Sequence, residues 1–193
     1  MFGSLPPATR GIILTNVAVY LLQHAVNLDM FALWPLGPLF RPWQLVTYAF
    51  LHDPTSLTHI FFNMFALFMF GGALEEYWGS NRFLLYYLVC VLAAAATQLA
   101  TMSGSGFYVQ TMGASGGVFG LLLAFAIHFP HQRLILVPVP IPLPAWLFVT
   151  LYGGLELFLG VTGSQTGVAH FAHLGGMLGG ALLLLIWRGQ NRY

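Results

Sequence analysis

Six apolar stretches, at roughly residues 11–26, 57–77, 82–102, 114–129, 145–161 and 168–187, take up most of this 193-residue chain. Several approach the ~20 residues that a helix needs to cross a bilayer. With 6% charged residues, almost nothing remains from which to build a soluble domain. The expected fold is therefore an all-α integral membrane protein, a bundle of six transmembrane helices forming one domain over residues 1–193. Short connections make consecutive spans antiparallel neighbours. The exception is the connection at 27–56, where Trp34, Phe40 and Trp43 alternate with Pro35, Pro38 and Pro42. Proline breaks this segment too often for it to span, and tryptophan is favourable at headgroup level. A first loop partly embedded in the outer leaflet follows.

The six positive charges are all arginine, and their placement sets the topology. With a cytoplasmic N-terminus, Arg10, Arg82, Arg133, Arg188 and Arg192 lie inside and Arg41 alone lies outside, which favours this orientation. Both termini are then cytoplasmic. The first stretch reads as a retained span and not a cleaved leader, since no clean small-x-small site follows it. The single cysteine, Cys90, falls in mid-span and is assigned to packing.

In this topology the second, fourth and sixth spans start at a similar outer depth, and polar residues collect there. His59 is near the start of the second, Ser115 at the start of the fourth, and His173 about one turn into the sixth. Polar side chains in hydrocarbon are costly unless partners or a water-filled cavity compensate, so their convergence is a functional signal. The fourth span is short, about 24 Å at ~1.5 Å per residue against ~30 Å of hydrocarbon, which recesses its outer end. The preceding Ser103-Gly104-Ser105-Gly106-Phe107-Tyr108 is expected to dip inward and bring water towards Ser115.

A serine hydroxyl is a weak nucleophile and needs an adjacent base, most often histidine. Ser115 and His173 supply that pair. With no acidic residue placed at the outer ends of the spans, the expectation is a Ser–His dyad. Backbone N–H groups at the start of the Ser115 helix could stabilise an oxyanion. His59 and Asn63, at i and i+4 on one helix face, could add side-chain donors, or could only tie the second span to its neighbours. Gly113, Gly116, Gly117 and Gly120 are expected to face Gly176 and Gly180, whose GxxxG spacing permits close backbone approach. At roughly 100° per residue, His173 shares the Gly176–Gly180 face and His170 falls outside it, which favours His173 as base.

These residues resemble the rhomboid family of intramembrane serine proteases over nearly the whole chain. The likeness is carried by Trp43-Gln44, His59-Ile60-Phe61-Phe62-Asn63, Gly71-Gly72-Ala73-Leu74-Glu75 with Gly79-Ser80, Gly113-Ala114-Ser115-Gly116, and Ala172-His173-Leu174-Gly175-Gly176 followed by Gly180. The resemblance implies Ser115 as nucleophile, His173 as general base, and His59, Asn63 and the Ser115 N–H at the oxyanion. It also implies cleavage of single-pass membrane proteins near the outer end of their spans, within the lipid bilayer and without metal or cofactor. The chain is similar to the minimal six-span bacterial form, so a bacterial inner (plasma) membrane is the expected location. Two positions depart from the pattern: Gln44 replaces an arginine common in bacterial members, and Phe119 replaces a tyrosine that often stacks under the histidine.

Glu75 and Glu76, near Arg82, read as a structural ion pair or helix cap. Glu156 lies inside the fifth span, where it must find a partner or stay protonated, and has no assigned role. His128 and His131 belong to the cytoplasmic side, His24 to the interface and His52 to the first loop. A metalloprotease built on His170, His173, His52 and His59 lacks HExxH and a convincing ligand set. A silent rhomboid-like binding or quality-control factor would typically lack the serine or the histidine. A transporter would show inverted repeats or paired broken helices, which are not evident. Nothing points to nucleic acid.

Overall fold

Several helices in the computed structural model, which describes residues 5–102, 109–135, 141–163 and 168–190, begin or end at a recognisable local signal. α1 (Pro7–Gln23) starts with proline at its first position, where the missing N–H costs nothing. The second apolar stretch forms a continuous helix, Leu57–Trp78, made of α3 (Leu57–Ala66), a π-helical turn (Leu67–Gly71) and α4 (Gly72–Trp78). Ser56 caps its start by accepting from the His59 N–H, and Gly79 ends it at φ +78°. α5 (Ser80–Met102) and α6 (Ser115–His128) follow. α7 (Ala145–Thr162) enters from Pro144 and stops at Gly163, which takes the left-handed conformation. α8 (His170–Gln190) completes the bundle. A short α2 (Gln44–Thr47) lies in the first loop.

The protein is a helical membrane bundle. Among the described residues, four helices are long and apolar enough to cross a bilayer: Leu57–Trp78, Ser80–Met102, Ala145–Thr162 and His170–Gly189. α1, at 17 residues, and α6, at 14, are shorter. Among the described residues, helix is joined by one two-stranded sheet that the apolar pattern did not foretell. β1 (Arg133–Ile135) pairs antiparallel with β2 (Pro142–Pro144) between α6 and α7.

α5, α6 and α8 form the centre. Ten of the fourteen α6 residues are buried, as befits a helix that is apolar on every side. Buried tyrosines brace the surrounding elements: Tyr48 donates to the Val91 carbonyl (2.8 Å) and Tyr86 to the Gly120 carbonyl (2.9 Å). α6 and α8 approach closely, and a Cβ on Gly176 would strike the Gly116 carbonyl. Gly120 lies against Cys90 and the Gly176 carbonyl. Gly180 differs from expectation. It faces the Tyr86 hydroxyl and Cys90 of α5, so only Gly176 of the GxxxG pair meets α6.

At the opposite end of the helices from Ser115, Glu75 acts as a cap. Its carboxylate accepts from the Ala8 and Thr9 N–H groups (2.9 and 2.6 Å), the Thr9 hydroxyl (2.7 Å) and the Ser80 hydroxyl (2.7 Å). It thereby satisfies the first turn of α1, where helix N–H groups and dipole favour an anion. Arg82 instead lies over the Trp187 ring, 5.8 Å from its centre.

The first loop is organised by a neutral side chain. Gln44, fully buried, donates from Nε2 to the Met30 and Leu39 carbonyls (both 3.0 Å) and accepts at Oε1 from the Arg41 and Trp34 N–H groups (3.1 and 3.3 Å). The segment 103–108, expected to dip inward, lies outside the described residues.

Close packing of α6 on α8 gives a direct test. Gly176→Ala should lower the melting temperature in detergent by an amount equivalent to about 1–3 kcal/mol or prevent folding, as overpacking does. Gly11→Ala, where an added Cβ meets nothing within 4 Å, should not destabilise.

Candidate active site

Ser115 is the first residue of α6, and the chain reaches it through Ala114 and Gly113. Gly113 has φ +130°, a conformation that side chains rarely adopt, and a Cβ there would sit 2.9 Å from Nε2 of His59. This glycine is not a helix-packing residue as expected. It is the bare backbone on which the His59 ring rests, and the same absent Cβ position lies 3.7 Å from the Ser115 hydroxyl. His59 and Ser115 are therefore close neighbours.

The backbone before Ser115 is pinned by the first loop. Leu33 and Thr111 exchange both hydrogen bonds (2.9 Å each) in an isolated antiparallel bridge, and the Gly113 N–H donates to the Tyr48 carbonyl (3.0 Å). A further tie runs from the Gln110 amide to Asp29 (3.1 Å).

From α8, His173 places Nε2 2.8 Å from Ser115 Oγ. Its ring stacks on Phe119, one turn below Ser115, with centroids 4.2 Å apart and planes 5° from parallel. The phenyl ring holds the imidazole flat without a hydroxyl. Asn63, one turn along α3 from His59, donates from its amide to the His59 carbonyl (2.9 Å). His52 packs edge-on against His59, centroids 5.0 Å apart, and its backbone is clamped from both sides by the Gln23 amide (2.9 and 3.0 Å).

The expectation that no acidic group lies near the histidine needs correction. Oε2 of Glu156, on α7, is 2.8 Å from Nδ1 of His173 and 2.6 Å from Nδ1 of His170. All three side chains are buried. Sequence reasoning left Glu156 unassigned, yet it held the clue. α7 runs opposite to α8, and Glu156 lies in its later half, at the end of the bundle where α8 begins. Antiparallel neighbours therefore bring Glu156 and His173 to one level.

Among the described residues this is the one trio of side chains whose donor atoms cluster as metal ligands could, within 4.8 Å of one another. The spacing fits hydrogen bonds better. Ligands ~2.0 Å from a tetrahedral zinc stand about 3.3 Å apart, whereas both imidazole nitrogens here touch one carboxylate oxygen directly.

A hydroxyl hydrogen-bonded to an imidazole at the half-buried start of a buried helix is the pairing that a serine nucleophile requires. Together with the bundle it defines a class: an integral membrane protein with a serine–histidine site built between spans. Residues 39–190 match the Rhomboid domain, and the chain belongs to the rhomboid family. It is 27% identical to Rhomboid protein 1, mitochondrial, of Saccharomyces cerevisiae, over 94% of this chain and 56% of that protein. It is 26% identical to Rhomboid protease GlpG of Pectobacterium atrosepticum, over 96% of this chain and 64% of the relative. It is 27% identical to Rhomboid protease AarA of Providencia stuartii, over 93% and 72%. The chain thus spans less than two thirds of the length of the first two.

Burial pushes the His52 imidazole, in the first loop, down to about 3, with neighbouring His59 adding to the effect. The folded protein therefore keeps His52 neutral while the unfolded chain takes up a proton near its ordinary value of 6.5. Stability from this site is complete above about pH 6.5 and is lost as pH falls towards 3. Melting temperatures recorded from pH 7 to pH 4 should decline, and His52→Gln should make that decline shallower.

Proposed function

We propose that the chain is an intramembrane serine endopeptidase that cleaves single-pass membrane proteins near the outer end of their spans. The observation that carries this reading is the 2.8 Å contact between Ser115 Oγ and His173 Nε2 in a chain of the rhomboid family. Ser115 attacks the scissile carbonyl while His173 Nε2 takes the hydroxyl proton. His173 then passes that proton to the leaving amine, and water attacks the acyl-Ser115 ester by the same route in reverse. The oxyanion is met by the Ser115 N–H, with His59 beside it and Asn63 one turn away.

In the same reading α1 and α6 complete six crossings of a single domain over residues 1–193, both termini are cytoplasmic, and the membrane is a bacterial inner membrane. The bias of five arginines to one supports that orientation. Exposed Met30, Leu36, Leu39 and Trp43 support a first loop set into the outer leaflet, with lipid as their partner. Substrate spans should unwind easily near the cut, because a peptide bond inside a stable helix is hidden from Ser115.

Ser115→Ala should abolish proteolysis and labelling by a fluorophosphonate without lowering the melting temperature. His173→Ala should eliminate both as well, and His170→Ala should retain part of each. His59→Ala and Asn63→Ala should each lower kcat by up to ~10²-fold, more than they change KM. Cleavage by purified Ser115→Ala protein would refute the serine mechanism. An unlabelled, inactive wild-type protein would favour a silent membrane-protein binding factor.

A further inference from the structure

The serine mechanism requires one tautomer of His173, in which Nε2 carries a lone pair towards the Ser115 hydroxyl. A neutral imidazole has one N–H, so that proton must then be on Nδ1. The group facing Nδ1 in this structure is Oε2 of Glu156, at 2.8 Å. A carboxylate oxygen accepts and does not donate, so it selects the Nδ1–H form and leaves Nε2 free to act as base.

We propose that Glu156 is the positioning residue of a Ser115–His173–Glu156 triad, with His170 as the second donor that holds the carboxylate in place. This rests on the serine endopeptidase reading. Three independent features of the packing support it. First, among the described residues the hydrogen bonds of the carboxylate go to the two histidines. Second, Glu156 is one of only three buried residues of α7, the others being Ala145 and Val149 near the start of that helix. A sparsely buried helix thus turns its acidic residue inward, at an energetic cost that requires compensation. Third, the geometry fixes the imidazole at both nitrogens and on one face: Ser115 at Nε2, Glu156 at Nδ1, and Phe119 stacked on the ring.

The division of labour between the histidines follows. His170 contacts the same oxygen at 2.6 Å, so it occupies the second lone pair and keeps Oε2 from rotating away from His173. During attack the proton moves from Ser115 Oγ to His173 Nε2. The resulting imidazolium, with N–H on both nitrogens, then lies against the carboxylate, which stabilises it without accepting the proton. His170 touches neither Ser115 nor the reacting atoms and acts only through Glu156.

The test uses the full chain in detergent with a transmembrane test substrate, comparing wild type, Ser115→Ala, Glu156→Gln and His170→Ala. Glu156→Gln keeps the volume and replaces one oxygen by a donor, which can favour the wrong tautomer. The expected result is a kcat lowered by ~10²-fold, within the range of general-base catalysis, with KM within about twofold. Fluorophosphonate labelling of Ser115 should slow in parallel, and the melting temperature should hold. His170→Ala should show a smaller loss of kcat. Nitrogen-15 NMR of ring-labelled histidine, with His173→Ala to assign the signal, supplies a readout independent of activity. Wild-type His173 should be protonated at Nδ1 and bare at Nε2 at neutral pH. Unchanged kcat and labelling in Glu156→Gln, with wild type active and Ser115→Ala dead, would overturn the triad and leave the serine mechanism standing. An Nε2-protonated His173 in wild type would overturn it whatever the variants do. Wild type that neither cleaves nor labels would overturn both.

Discussion

The site depends on how closely α6 and α8 approach. Ser115 has the shortest of hydroxyl side chains and His173 is on another helix, so their contact at 2.8 Å demands backbones that almost touch. Gly176 against the Gly116 carbonyl provides that approach one turn beyond His173. In a bilayer, helices gain little from hydrophobic burial against one another, so such packing of small residues is a principal source of association. Here the same contact also sets the Ser115–His173 geometry, because any side chain at Gly176 would separate the pair. Gly117 against Tyr87, Gly175 against Thr97 and Gly179 against Ala93 extend the principle to α5, which locks α6 and α8 from behind.

A second constraint acts on the start of α6. That point has few intrahelical hydrogen bonds to hold it, since the first N–H groups of a helix lack partners in the helix itself. The first loop supplies what is missing through the Leu33–Thr111 bridge and the Tyr48 carbonyl. The loop in turn owes its shape to Gln44, which gathers Met30, Trp34, Leu39 and Arg41 around one amide. Where an arginine would bring a charge that must be compensated near hydrocarbon, an amide offers both donors and acceptor while staying neutral. From Gln44 to Ser115 there is thus a continuous path of hydrogen bonds and backbone, and the loop belongs to the architecture of the site.

Much of this was legible in the sequence because it depends on local spacing. The apolar runs gave the helices, the glycines around Ser115 and Gly176 marked the close approach, and helical rotation separated His173 from His170. What escaped were features set by two segments meeting at one depth. Glu156 was seen as costly but was not matched to His173. That match needs the residue's height in α7 compared with a helix running the other way. Gly180 was paired with α6 from the GxxxG pattern, yet spacing alone cannot say which of two flanking helices a face meets. Gly113 was grouped with the packing glycines, although its positive φ and the His59 ring belong to a loop that has no periodicity. The β1–β2 hairpin was missed because a three-residue strand rich in proline leaves hardly any alternation to read.

In the proposed mechanism, the placement of Glu156 ties catalysis to the least buried of the four long spans. In α7, 17% of the membrane-length window is buried, compared with 39% to 44% in the other three long spans. Gly153 lies against Met177 and Gly160 against His170 and Phe171, and the Glu156 carboxylate adds a polar hold on α8. A carboxylate between two imidazoles is a short-range, directional clasp, whereas apolar contacts with lipid and with neighbours are non-directional. A shift of α7 by the length of one hydrogen bond would break that clasp. His173 would lose its Nδ1 partner, and with it the bias that keeps Nε2 bare. The serine would remain beside the imidazole, but the proton could then sit on the wrong nitrogen. On the proposed mechanism, a sparsely buried helix that carries the orienting group would make the reactivity of Ser115 depend on where α7 stands, with no movement of Ser115 itself.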